Sequence, residues 1–146
     1  MVPQVGTVAW CGVRPARGEP MIAKDEVEAI ASRGLVGDRY KASGNRQCTL
    51  IQAEHLPVIG MLSGITVTPA MMRRNLVVAG INLLSLQKQR FAIGDAIFVG
   101  TSACAPCDKM ELLAEGMFQA MRGHGGICAQ IERSGVIRIG DRVRIL

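Results

Sequence analysis

Aromatic residues are scarce in this sequence: one Trp, one Tyr and three Phe (Trp10, Tyr40, Phe91, Phe98 and Phe118) stand among 146 residues. Modules that read single-stranded nucleic acid stack bases on aromatic platforms beside basic residues. No such interleaving occurs, so the net charge of +5 does not mark a nucleic-acid binder. Long apolar runs are missing too. The longest, residues 76–84, is broken by Gly80 and Asn82, and residues 1–12 hold no basic segment followed by an apolar one. Neither a membrane span nor a secretory leader is expected. No stretch of Ser, Pro or like charge is long enough for a linker, so residues 1–146 read as a single domain. The five cysteines make an odd count, and without an export signal the expected compartment is the cytoplasm, which keeps thiols reduced.

What is present is a core. Hydrophobic residues make up 49% and charged residues 20% of the chain, the balance of a folded domain. A chain this long buries ~70% of the surface its unfolded form exposes, so disulfide staples are unnecessary. The excess of 17 Lys and Arg over 12 Asp and Glu attracts an anionic ligand from a distance.

Short β-type runs recur at residues 5–10, 21–24, 27–31, 48–52, 76–79, 97–102 and 127–132. Gly94-Asp95 and Gly140-Asp141 each sit at the centre of an alternating nine-residue pattern, and both read as hairpin turns. Helical spacing is expected over 53–62, over a short turn starting at Pro69, and most clearly over 108–122. There Met110, Leu113, Met117 and Met121 share one face. Many strands, few helices and no βαβ rhythm predict a mainly β fold, a barrel with a few peripheral helices.

The segment Ser102-Ala103-Cys104-Ala105-Pro106-Cys107-Asp108-Lys109-Met110-Glu111 carries the densest chemistry. Asp108 with Glu111 three residues on looks like a capping box, with Asp in place of Ser or Thr. Cys107 then stands one residue before the helix, where unpaired N–H groups and the positive dipole end favour a thiolate. Lys109 adds to the effect and Asp108 opposes it, so a moderately lowered thiol pKa is expected. Other readings stay open. Cys107 is a small buried filler at a strand-to-helix corner; or Cys104-x-x-Cys107 is a redox dithiol, outside the βαβ setting usual for one; or Cys104, Cys107, His124 and Cys128, at close to structural zinc spacing, hold that metal.

Arg73-Arg74-Asn75 leads into the strand at 76–79. Two guanidinium groups and an amide suit a phosphate or a polar heterocycle, with a solvated corner as the plain alternative. Gly34-Leu35-Val36-Gly37-Asp38-Arg39 lacks the Lys-Ser/Thr of a phosphate-binding loop and is weak as a nucleotide motif. In Met121-Arg122-Gly123-His124-Gly125-Gly126 the glycines allow close approach to a ligand and leave the imidazole on an accessible loop, with Arg122 beside it. His55 reads as structural.

Together these pieces resemble the MOSC family, the domain also found at the C-terminus of molybdenum-cofactor sulfurases and in amidoxime-reducing components. The matching residues are Gly34 to Arg39, Arg46 ahead of Thr49-Leu50-Ile51, Arg73-Arg74-Asn75-Leu76-Val77-Val78 with Gly80-Ile81, and Ile93-Gly94-Asp95. After these come Cys104-Ala105-Pro106-Cys107 with Met110-Glu111, Ala120 to Gly126, and Gly140-Asp141-Arg142-Val143. The likeness is greatest to short, stand-alone bacterial members. It implies a β-barrel with peripheral helices and a cysteine that carries sulfur as a persulfide or binds the molybdenum of a molybdopterin-type cofactor. By position that catalytic and metal-binding cysteine is Cys107, with Cys104 as its resolving partner. Arg73 and Asn75 would hold the cofactor's phosphate or pterin, and Arg39, Arg122 and His124 would complete a polar rim.

The resemblance leaves open a molybdenum-dependent reductase, a sulfur transferase or a carrier served by a sulfur donor protein. Larger relatives have an additional N-terminal barrel that 146 residues leave no room for. Transient carriage, or completion of the site by a second copy in a homodimer, is therefore expected. Tyr40 stands where some members have His, removing one proton donor.

Overall fold

Alternating strands leave one apolar face each, and a sheet can hide that face by closing on itself. In the computed structural model, which describes residues 4–39, 44–106 and 108–146, the strands do so. They are β1 (Val5–Val13), β2 (Ile22–Lys24), β3 (Glu26–Ile30), β4 (Gly34–Leu35), β5 (Cys48–Gln52), β6 (Leu76–Ala79), β7 (Arg90–Ile93), β8 (Ala96–Ala103), β9 (Ile127–Arg133), β10 (Gly135–Arg138) and β11 (Arg142–Ile145). Among the described residues seven strands form a ring in the order β11-β7-β8-β9-β5-β6-β1, closed by pairing of β1 with β11. Closure removes the unpaired strand edges of an open sheet. β2 extends the wall beside β1, and β10-β3-β4 form a second, small sheet. The mainly β barrel expected from the sequence is the observed fold.

β5 and β6 run parallel, with Leu50 opposite Leu76. A parallel pair needs a crossover, here α1 (His55–Ser63) and a 3-10 turn at Pro69–Met72. This crossover covers one side of the barrel and sorts the side chains of both strands. Leu50, Leu76 and Val78 point into the barrel with Val8, Phe91, Phe98, Ile131 and Val143. Ile51 and Val77 point outward, into a second cluster with Ile59, Met72, Met110, Met117 and Met121. Phe91 and Phe98 face each other across β7 and β8, with stacked rings 5.4 Å apart.

Two sequence expectations are corrected. The helix expected over 108–122 is a 3-10 turn, Asp108–Leu112, followed by a separate short helix, α2 (Met117–Met121). Gly116 breaks it with φ of 86°. The Glu111 carboxylate accepts hydrogen bonds from the N–H groups of Gly116 (3.1 Å) and Phe118 (2.7 Å), so it caps α2. The methionines share a face because they meet one core surface, not because one helix carries them. Gly140-Asp141 is likewise no hairpin turn: β10 pairs with β3 while β11 pairs with β1 and β7. The Asp141 carboxylate accepts from the Arg138 N–H at 2.8 Å and fixes a bend between two sheets. Gly94-Asp95 does turn the hairpin between β7 and β8.

Candidate functional site

At one end of the barrel, loops from four parts of the chain meet around a cleft of about 320 Å³. Arg14 follows β1, with Arg17 and Gly18 in the next loop; Arg39 follows β4; Arg46 precedes β5; Arg73 and Arg74 precede β6; and Lys109 and Met110 lie in the 3-10 turn after β8. No carboxylate lines the cleft among the described residues. A concave surface of one sign focuses field and raises the local concentration of an oppositely charged ligand.

The wall is built on buried polar bonds. Asp38 is 1% exposed and meets Arg14 in an ion pair of 3.3 Å, while its Oδ1 accepts from the Arg14 backbone N–H at 2.7 Å. The Arg14 guanidinium also donates to the Arg73 carbonyl (3.1 Å) and to Asn75 Oδ1 (3.2 Å). Asn75, fully buried, exchanges hydrogen bonds with Thr49 and donates to Gly12 O and Asp38 Oδ1, both at 3.2 Å. Its side chain ties β1, β5 and β6 together beneath the cleft. Gly37 supplies the φ of +87° that turns Asp38 inward.

Arg74 is the most informative residue. Only 2% of it is exposed, and it donates to three carbonyls: Gly125 (2.9 Å), Ala105 (3.2 Å) and Met72 (3.4 Å). Burial lowers its pKa, and among the described residues it has no ion pair with a carboxylate. A desolvated guanidinium is costly without a counter-charge. The sulfur of Cys104 supplies part of one when it is ionised. It is held below the ordinary thiol range by the hydrogen bond from Cys128 and then by Arg74, Arg46 and Arg14, against the opposing effect of burial. Cys128, Sγ to Sγ at 2.8 Å, is correspondingly raised. Cys48 is raised by complete burial, and Cys11, donating to Lys24 O, is pushed up to about 11 by burial and nearby carboxylates.

The structure therefore brings Arg39 and Arg73 to the cleft and places Asn75 under it, with its amide spent on the protein. Arg122 is exposed and donates to Gln119 Oε1 at 3.3 Å, away from the lining. The His124 ring packs edge-on against His55 of α1, centroids 4.8 Å apart, and among the described residues its Nδ1 has no hydrogen-bond partner. The glycines beside it do not make a loose loop. A Cβ on Gly126 would lie 1.8 Å from Leu50 O, and one on Gly125 would lie 2.4 Å from Cys104 O. Cys107, expected to be the reactive thiol, and Tyr40 lie outside the described residues. The dipole argument for Cys107 does not survive, since five residues of 3-10 turn follow it instead of a long helix. Among the described residues, no three metal-ligating side chains gather as the zinc alternative requires.

Sequence reading passed over Arg14, Arg17 and Lys109 as cleft-lining residues and did not choose Arg74 over its neighbour. Arg14-Pro15-Ala16-Arg17-Gly18, where a strand gives way to Pro and Gly, was the available signal. Arg73-Arg74-Asn75 is no solvated corner, as Arg74 and Asn75 are among the most buried polar residues.

The barrel thus carries a cationic cleft at one end with the Cys104 sulfur behind it. The model of the MOSC domain matches residues 37–144, and the chain belongs to that family, which is associated with the molybdenum cofactor. Solved structures share the fold. The YUAD protein of Bacillus subtilis has a TM-score of 0.85 at 17% identity, with 95% of this chain and 94% of that one covered. YiiM of Geobacillus stearothermophilus gives 0.79 at 15%, covering 97% and 75%, and YiiM of Escherichia coli gives 0.71 at 18%, covering 100% and 70%. No curated protein matches the chain by sequence. No helix among the described residues is long and apolar enough to cross a membrane.

Proposed function

We propose that this protein binds an anionic molybdopterin-type cofactor in the arginine cleft and presents a cysteine thiolate to it, as metal ligand or as persulfide sulfur carrier. The observation that carries this reading is Arg74, a buried guanidinium without a carboxylate partner among the described residues, standing between a cationic cleft and a thiol of lowered pKa. The donor set suits the group: Arg offers forked donors to phosphate, and thiolate is the soft ligand for molybdenum. When bound, the cofactor supplies two-electron chemistry at its metal.

The residues of this chain do the rest. Arg73 and Arg39 hold the phosphate or pterin from the rim, Arg14 and Arg74 fix the floor, and Asp38 and Asn75 keep Arg14 aimed. Cys107, placed by resemblance, is the sulfur that loads, and Lys109 two residues on lines the cleft. A sulfur donor protein serves the persulfide route, and the cofactor is either carried transiently or enclosed with the help of a second copy of the chain. Thiols used in this way belong in a reducing compartment such as the cytoplasm.

The test is metal analysis of the purified protein with titration of molybdopterin onto the metal-free form. The reading expects molybdenum or saturable pterin binding, weakened by ~1.5–3 kcal/mol in Arg73→Ala as a charge-assisted hydrogen bond is lost. Stoichiometric zinc, or binding unaffected by Arg73→Ala, overturns it.

A further inference from the structure

We propose that Cys104 and Cys128 form a second, redox site: a dithiol that hydrogen peroxide closes into a reversible Cys104–Cys128 disulfide. The inference is independent of cofactor binding and rests on position. The two sulfurs lie 2.8 Å apart although their residues are 24 apart in sequence, and each residue is 5% exposed. A disulfide of about 2.05 Å needs only a short closing movement from there. The backbone holds both partners for it. Cys128 sits in β9 with Thr49 of β5 as its register partner, and the Cys104 N–H donates to Gly126 O at 2.8 Å. A register shift in β8 between Gly100 and Ala103 brings the end of that strand against β9 just where Cys104 begins. Gly125 has no Cβ, and so permits the close approach of the Cys104 carbonyl. Cys11 and Cys48, fully buried, have no such thiol contact among the described residues.

The charges assign the roles. Arg74, Arg46 and Arg14 favour the thiolate on Cys104, while Cys128 keeps its proton. The Cys104 thiolate attacks one peroxide oxygen, the O–O bond breaks, and the departing hydroxide takes a proton to become water. Cys104 is then a sulfenic acid, oxidised by two electrons. The Cys128 sulfur displaces the hydroxyl, which leaves as a second water carrying the Cys128 proton. Two thiols and one hydrogen peroxide thus give one disulfide and two waters, and an external thiol such as dithiothreitol reverses the change.

The experiment uses the full chain, reduced, desalted and treated with one equivalent of hydrogen peroxide. Remaining thiols are then alkylated under denaturing conditions and the tryptic peptides mapped by mass. Residues 91–109 and 123–133 should appear linked, lighter by two hydrogens, in most chains, and separate after dithiothreitol. Cys107→Ser should form the same link, which identifies Cys104, and Cys128→Ser should leave a dimedone-reactive Cys104. A Cys104–Cys107 loop, a link to Cys48, or thiols at 104 and 128 that survive while other cysteines oxidise would each overturn the assignment. The wild-type map with peptide fragmentation decides the matter even where a variant fails to fold.

Discussion

The Arg14 guanidinium and the Asp38 carboxylate form a buried ion pair of 3.3 Å, with side chains 4% and 0% exposed. The pair joins the end of β1 to the turn after β4 and sets one arginine of the cleft wall. Because the partner left behind would be an unpaired buried charge, Asp38→Ala should cost ~3–5 kcal/mol. Asp38→Asn should cost less, since an amide oxygen still accepts from the Arg14 N–H. Urea denaturation measures both, and a loss under about 1 kcal/mol for the alanine variant would contradict the role given to this pair.

Arg74→Met should act on two readouts at once. It removes a cation from beside Cys104, and losing a cation raises a thiol pKa, so the alkylation of Cys104 should move to higher pH. Measured by peptide mass in a Cys107→Ser background, the wild-type Cys104 should already react below the ~8.5 of an ordinary thiol. Binding of inorganic phosphate or molybdate, followed by calorimetry, should weaken about tenfold or more, as expected for a hydrogen bond to a charged group. An unchanged alkylation profile would separate Arg74 from the thiol.

Cys107→Ser should abolish molybdenum or persulfide loading with little change in the unfolding midpoint, since Ser is nearly isosteric. Cys104→Ser should load. The reverse pattern would move the loading sulfur to Cys104, the thiol that the described structure places behind Arg74.

Gly126→Ala tests whether the glycine loop is packing or flexibility. At φ of +85°, with Leu50 O only 1.8 Å from the added Cβ, the substitution should cost at least about 2 kcal/mol. A neutral thermal-denaturation result would restore the loose-loop reading.

Much of the fold was legible because it is local. The strands Cys48–Gln52 and Leu76–Ala79 announce themselves by β-branched and apolar runs between polar turns, and Pro69 marks the 3-10 turn that it starts. The helix over 108–122 was misread because helical periodicity records which residues meet the core, and Met110, Met117 and Met121 do so on both sides of the break at Gly116. Of the two Gly-Asp echoes, the one at Gly94 turns the expected hairpin and only the one at Gly140 was misread, because the same turn chemistry there serves a change of sheet.

By itself the sequence determined the β-rich class, the excess of cations and the family, since alternation, charge and motif order are properties of a line of residues. Only the tertiary structure decided which cations converge. Arg14 and Arg73 meet through a carbonyl 59 positions away, Asn75 braces the strands beneath the cleft, and Cys104 lies 2.8 Å from Cys128 although 24 positions separate them. The physical reason is barrel closure: strand pairing brings distant segments within hydrogen-bond range, and no local pattern encodes that distance.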